Sequence, residues 1–158
     1  MAKIYVASSW RNQWQPAVVD ALRQHGHQVY DFRNPPNKAG FGWEQVALDM
    51  GNRQVVKAEE LITALEHPRA KEGFAADHGA MEWADTFVMV LPCGKSAHLE
   101  LGWACGKGKR TIILWQLLDT PELMYLEADK IVTSIPELIK TLAPPRDNTS
   151  WIANPGLL

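Results

Sequence analysis

The chain has 158 residues, 46% hydrophobic and 22% charged, an ordinary globular composition for one domain that can bury a core without disulfides or metal. A formal net charge of −2 removes any general electrostatic drive toward nucleic acid or anionic membrane and leaves a small molecule or a protein as the expected partner. No apolar run reaches membrane-spanning length, MAKIYVASSW is too short for a signal peptide, and Cys93 and Cys105 suit a reducing compartment, so the expected location is cytoplasmic.

In chain order, KIYVAS (Lys3–Ser8) reads as a first strand that ends in small polar residues. QPAVVDALRQHGH follows as a helix, with Val18, Val19, Ala21 and Leu22 on one side and Gly26 as its stop. QVYDFR (Gln28–Arg33) is a second strand and NPPNKAGFGW (Asn34–Trp43) a loop rich in Pro, Gly and Asn. A mixed helical pattern runs from Glu44 to about Leu65 and breaks at Pro68. RAKEGFAADHGAMEWAD then forms a helix whose stripe is Phe74, Asp77, Met81 and Ala84. TFVMVLP (Thr86–Pro92) is a continuous apolar strand of the kind buried on both faces of a parallel sheet. LPCGKSAHLELGWACGKGKR leads into the next helix, with Glu100 in its first turn. RTIILW (Arg110–Trp115) and KIVTS (Lys130–Ser134) are the fourth and fifth strands, and IPELIKTLA is the last helix. Residues 1–143 read as a single α/β domain and 144–158 as a tail without periodicity.

Strands alternating with helices predict a doubly wound, Rossmann-like parallel sheet with helices on both faces. Five strands joined by right-handed crossovers predict the flavodoxin-like order 2-1-3-4-5. Ligands bind such sheets at the carboxyl ends of the strands, beside strand 1. That rule selects SSWR after strand 1, DFRNPP after strand 2 and PCGKSAHLE after strand 3.

Each candidate has an ordinary alternative. A carboxylate at Glu100 complements a helix dipole, worth about 0.3–1 kcal/mol, or it serves a ligand. Its spacing from Ser96 is one residue too long for a capping box, which favours the ligand. Asp77 on an apolar stripe is costly to bury unless paired or functional. Ser8, Ser9 and Arg11 can hold an anion such as phosphate, or simply start a helix. Trp10 and Trp14 lie where a ligand is expected. His98 is a weak candidate proton carrier, Cys93 a small apolar residue, and Asp85 a turn or cap residue. GKGKR (Gly106–Arg110) closes a helix at the opposite end of the sheet and reads as a solvated turn. There is no P-loop, no G-x-G-x-x-G and no zinc-ligand spacing, so neither cofactor nor metal is expected.

IYVASSW, the D-x-x-A-M-x-x-A-D run from Asp77 to Asp85, and V-x-V-L-P-x-G-x-S-A-H-L-E-L-G-x-A-x-G-x-G-K ending at Lys109 resemble the nucleoside 2-deoxyribosyltransferase superfamily, which includes nucleoside 5′-monophosphate N-glycosidases. The resemblance covers roughly Lys3 to Leu114 and is most specific in the middle block. It implies that Glu100 is the catalytic nucleophile and Asp77 an active-site carboxylate. It also implies that Ser8, Ser9 and Ser96 bind a phosphate, and the strand-end rule adds Trp10, Arg11, Arg33, Gly94 and, as the weakest candidate, His98 to the substrate site. Transferases of this group often carry an Asp-x-Gly-Thr element before the Glu, where this chain has CGKSAHLE. Ser96 and Lys95 suit a monophosphate site instead.

The implied activity is cleavage or transfer of an N-glycosidic bond in a nucleoside or nucleoside 5′-monophosphate. A helix N-terminus is expected to keep Glu100 ionised near neutral pH, and burial to raise the pKa of Asp77. The missing Asp motivates an alternative, a non-catalytic nucleotide-binding or sensing module of the same fold. A redox flavodoxin-like protein is a weaker alternative, since SSWRNQ is no evident flavin phosphate loop. The resemblance further implies a homodimer, with Trp83 and Trp103 as interface aromatics.

Overall fold

The computed structural model describes residues 1–36, 40–46 and 56–143. Among them, strands β1 (Lys3–Ala7), β2 (Gln28–Tyr30), β3 (Thr86–Val90), β4 (Arg110–Leu114) and β5 (Lys130–Val132) form one sheet. All its pairings are parallel and the order is β2-β1-β3-β4-β5, as the pattern of apolar runs predicts. The helices are α1 (Gln15–Gln24), α2 (Ala58–Glu66), α3 (Pro68–Trp83), α4 (Lys95–Gly106) and α5 (Ile135–Leu142). Short 3-10 turns occupy Trp43–Val46 and Leu123–Glu127.

Successive residues of a strand point to opposite faces, and here both faces are apolar because both are covered. Ile4, Val6, Val88, Val90, Ile112 and Leu114 pack against Val18, Val19 and Leu22 of α1 and Leu138 and Leu142 of α5. The alternate residues Tyr5, Ala7, Phe87, Met89 and Ile113 pack against Met81 of α3 and Ala97, Leu101 and Ala104 of α4. Each buried Ile or Leu contributes about 1.5–3 kcal/mol relative to exposure, so these two layers hold the sheet without help from disulfides. Both cysteines are free thiols.

The ends of the elements follow local chemistry. Pro16 stands in the first turn of α1, and Gly26, at φ 80°, lets the chain leave that helix. Pro68 does not merely break a helix but starts α3, with the ring of His67 accepting the N–H of Arg69 at 3.1 Å. The predicted helix from Glu44 to Leu65 is instead a 3-10 turn and α2, with 47–55 lying outside the described residues. β2 ends at Tyr30 rather than Arg33, because the Asp31 carboxylate takes the Arg33 N–H at 3.1 Å and turns the chain. β5 stops at Val132, leaving Ser134 to cap α5 through the Glu137 N–H at 3.3 Å. The C-terminal segment 144–158 lies outside the described residues.

At the amino edge of the sheet the bland readings hold. Asp85 accepts the Lys3 N–H at 3.1 and 3.2 Å and the Thr86 hydroxyl at 2.8 Å. The GKGKR turn closes α4 with Gly108 at φ 66°, and Lys109 Nζ donates to the Met81, Glu82 and Ala84 carbonyls that end α3. Lysine near a helix C-terminus satisfies orphan carbonyls in this way.

Candidate active site

The candidate site is built on β2, β1 and β3. Three strands of the sheet put an aromatic row on the face that carries α3 and α4. Tyr30, Tyr5 and Phe87 are register partners on β2, β1 and β3, and their rings stack at 5.3 and 5.0 Å. Each phenol meets an acid from the helix layer. Tyr30 donates to Asp77 Oδ1 at 2.7 Å, and the buried Tyr5 phenol lies beside Glu100, close enough for each group to shift the other's pKa.

The helices present those acids at positions that differ from expectation by small shifts of register. On α3 the inward stripe is Ala70, Gly73, Asp77 and Met81, while Phe74 is 68% exposed and stacks on His78 at 5.3 Å. Gly73 is inside because Phe41 presses on it; a Cβ there would sit 2.8 Å from Phe41 Cβ. On α4 the cap is Gly94, which has no side chain to hydrogen-bond, so the helix starts at Lys95 and Glu100 stands in its second turn. The dipole effect is confined to the first turn. Burial therefore governs Glu100.

The expected ionised Glu100 is accordingly corrected. Its carboxyl is raised from 4.5 to about 7, chiefly by burial and then by the charge of Asp77, with the neighbouring Tyr5 phenol pulling down. Asp77 is also raised by burial, against the lowering effect of Tyr30. Both phenols are pushed far above their ordinary value by burial and by these acids, so they act as donors throughout the physiological range. Burial lifts the Cys93 thiol to about 12, which removes it as a nucleophile.

The remaining predicted residues divide by what they touch. Ser8 is half-buried and donates to the Val90 carbonyl at 2.9 Å, tying the end of β1 to the end of β3. Ser9 Oγ accepts the Arg11 N–H at 3.2 Å, and Arg11 itself is exposed. Trp10 is 52% exposed and meets Phe32 edge-to-face at 5.3 Å. Its ring lies over Gly40, where a Cβ would come within 2.6 Å. Trp14 is 38% exposed at the start of α1. Gly94 and Ser96 are exposed at the start of α4, on the same edge as Ser8.

Arg33 and His98 turn away from the pair of acids. Arg33 Nη2 donates to the Ser9, Trp10 and Asn12 carbonyls at 2.9, 2.7 and 2.8 Å, so its guanidinium folds the loop after β1. His98 Nδ1 lies 2.8 Å from the Gly94 carbonyl and Nε2 lies 2.9 Å from the Tyr125 hydroxyl. Two residues along a helix is about 200° of rotation, so His98 faces the 3-10 turn while Glu100 faces β1 and α3.

Four groups that support the site escape a reading of the sequence. Tyr5 and Tyr30 are the first two. Asn12 is 3% exposed and donates to the Val90 and Pro92 carbonyls, both at 3.1 Å. Asp31 is buried and accepts Gln15 Nε2 at 2.8 Å and Asn34 Nδ2 at 2.9 Å. Polar residues in DFRNPP and SSWRN read as loop chemistry, and only the tertiary fold makes them a buried network. Among the described residues no group of three or more His, Cys, Asp or Glu could hold a metal ion. No helix of the described residues is long and apolar enough to cross a membrane.

No family model matches the chain, and no curated protein matches it. Solved structures do. A 2-deoxyribosyltransferase from the psychrotolerant bacterium Bacillus psychrosaccharolyticus is 21% identical at a TM-score of 0.58, over 87% of this chain and 90% of that one. A conserved protein from Enterococcus faecalis V583 is 16% identical at a TM-score of 0.53, over 89% of this chain and 96% of that one. A CMP N-glycosidase from Clostridium botulinum is 15% identical at a TM-score of 0.49, over 88% and 96%. At such identities the likeness is one of architecture. With its all-parallel 2-1-3-4-5 sheet, the chain has the fold of the nucleoside 2-deoxyribosyltransferase-like proteins, the superfamily that its motifs resemble.

Proposed function

We propose that this protein cleaves or transfers the N-glycosidic bond of a nucleoside or nucleoside 5′-monophosphate, with Glu100 as nucleophile and Asp77 as proton donor and acceptor. One observation carries the reading. Asp77 on α3 and Glu100 on α4 bring two carboxyl groups to one row of stacked rings, Asp77 through the Tyr30 hydroxyl at 2.7 Å, and burial raises the pKa of both. Buried acids with raised pKa are what acid–base chemistry at neutral pH requires.

The steps follow from that pair. Breaking the bond to the base builds oxocarbenium character at the anomeric carbon. The Glu100 carboxylate attacks that carbon as the C–N bond breaks, and the bonding pair leaves with the base, which takes a proton from Asp77. A covalent glycosyl-enzyme results. Water or a second base then attacks the same carbon, losing a proton to the Asp77 carboxylate and releasing Glu100. The Tyr5 phenol beside Glu100 favours the ionised form of that carboxyl, against its burial. Ser8, Ser9 and Arg11 after β1, with Gly94 and Ser96 at the start of α4, lie on the same edge. They are the proposed contacts for sugar and phosphate.

The likeness of fold to a 2-deoxyribosyltransferase supports the same chemistry. The test is incubation with a panel of nucleosides and monophosphates, with free base followed by chromatography. Release of a base is expected, and Glu100→Ala should abolish it. A 2-fluoro-sugar substrate should label the peptide that contains Glu100, read by mass spectrometry. A folded protein that releases base from no member of the panel overturns the proposal. A thermal shift by nucleotide that survives in Glu100→Gln, without product from wild type, supports the binding module instead.

A further inference from the structure

Tyr30 is a buried phenol whose hydroxyl reaches out of the sheet to one named oxygen. Tyr30 is 8% exposed, and its ring stacks on Tyr5 with an interplanar angle of 16°. That stack follows from register, since Tyr30 and Tyr5 are direct partners across β2 and β1. The ring also forms one wall of an apolar cleft of about 700 Å³ between β2 and α3, with Ala76, Ala80, Trp83, Pro35 and Pro36 around it. Between the Tyr5 ring and α3, the phenol turns its O–H toward the helix. That direction ends on Asp77 Oδ1 at 2.7 Å, a full-strength O–H···O bond.

We infer that Tyr30 is the positioning residue for Asp77, engaging Oδ1 so that the second oxygen, Oδ2, carries the exchangeable proton toward the ligand. The inference rests on the reading of Glu100 and Asp77 as nucleophile and proton donor. An oxygen that accepts from a phenol is a poor place for the acid's own hydrogen, which leaves Oδ2 as the donor. Proton transfer needs the donor within hydrogen-bond reach of its target, and an unanchored carboxyl can rotate out of reach. Tyr5, on the next strand, stands beside Glu100, so one row of the sheet faces both acids.

The groups facing Asp77 are Tyr30 from β2, Tyr5 from β1 and Glu100 from α4, with Asp31 acting on Tyr30 from the turn after β2. Glu100 in turn faces Cys93. Between their two ionisations the acids hold one proton, and the productive form has it on Asp77. Removing the Tyr30 hydroxyl withdraws a donor from the Asp77 carboxylate and makes its deprotonation harder. The high-pH limb of the rate profile, where that proton is lost, should then move upward.

The experiment compares Tyr30→Phe with wild type, since the change keeps the ring and its stack. On the best substrate of the panel, kcat should fall at least about ten-fold with a smaller change in KM, and the high-pH limb should shift to higher pH. The Asp77 carboxyl, followed by carbon-13 NMR in the ligand-free protein, should titrate at higher pH in the variant. A matched melting curve separates these effects from unfolding. Unchanged kcat and an unchanged Asp77 titration in folded Tyr30→Phe overturn the inference. If wild type turns over nothing, the functional reading fails by itself, and the NMR titration still decides whether Tyr30 governs Asp77.

Discussion

Asp77 on α3 and Glu100 on α4 both carry carboxyls raised by burial, and the charge of Asp77 adds to the rise at Glu100. A carboxyl raised in the folded state costs stability only when it ionises there. Below its unfolded value of 4.5 the group is neutral in both states and contributes nothing. As pH rises toward about 7 the unfolded chain ionises freely while the folded one resists, so stability falls. The loss approaches about 3 kcal/mol at higher pH, less whatever residual solvent exposure screens. Glu100→Gln should therefore leave stability near wild type at pH 4 and raise it at pH 8. Urea denaturation at the two values reads this directly, and a variant weaker than wild type at pH 8 contradicts it.

Asp77→Asn removes the neighbouring charge without removing the burial. The pKa of Glu100 should fall from about 7 toward, but not to, 4.5, because burial is the larger cause. The low-pH limb of the rate profile should move to lower pH accordingly. Turnover should drop by about 10²–10⁴-fold, the usual worth of a positioned proton donor, and less completely than in Glu100→Ala. An activity that keeps both its rate and its low-pH limb would mean that Asp77 plays no part.

The architecture was legible because apolar runs such as TFVMV occur only where both faces of a strand are covered. The two acids were legible because a carboxylate among small and apolar residues is costly without a purpose. Their tyrosines were not. A tyrosine in IYVAS or QVYDF reads as core, and its partner lies 47 positions away for the Tyr30–Asp77 bond. Two boundary errors have equally local causes. Gly94 caps α4 without a hydroxyl or carboxylate to mark the place, which set Glu100 one turn too early. Phe41 packs on Gly73, so an exposed Phe74 looked like the inward residue.

Arg33 reads from sequence as a substrate contact, yet its guanidinium is hydrogen-bonded to the Ser9, Trp10 and Asn12 carbonyls. Arg33→Ala strips a charged donor from those acceptors and should destabilise the protein by about 1–3 kcal/mol. Amide exchange should quicken most across residues 9–13, measured by hydrogen–deuterium exchange. A loss of substrate affinity with neither stability nor exchange altered would return Arg33 to direct contact with the ligand.

Self-association is the last expectation, and the surface gives it a definite place. Leu117, Leu118, Leu123, Met124 and Leu126 lie between β4 and β5 and are 45%, 101%, 76%, 62% and 84% exposed. Trp83, beside α3, is 38% exposed, whereas Trp103 packs on His78 and Phe87 and is better described as wall than as interface. Clustered large apolar side chains of this kind mark interaction surfaces more often than single exposed residues do. Homodimer interfaces are rich in them. Light scattering at micromolar concentration should give twice the mass of 17.7 kDa. Leu118→Glu with Leu123→Glu should return the monomer, because charges buried unpaired in an apolar contact are strongly unfavourable. A wild-type protein that is monomeric under these conditions removes the expectation, and a dimer that survives both substitutions moves the contact to the Trp83 side of the molecule.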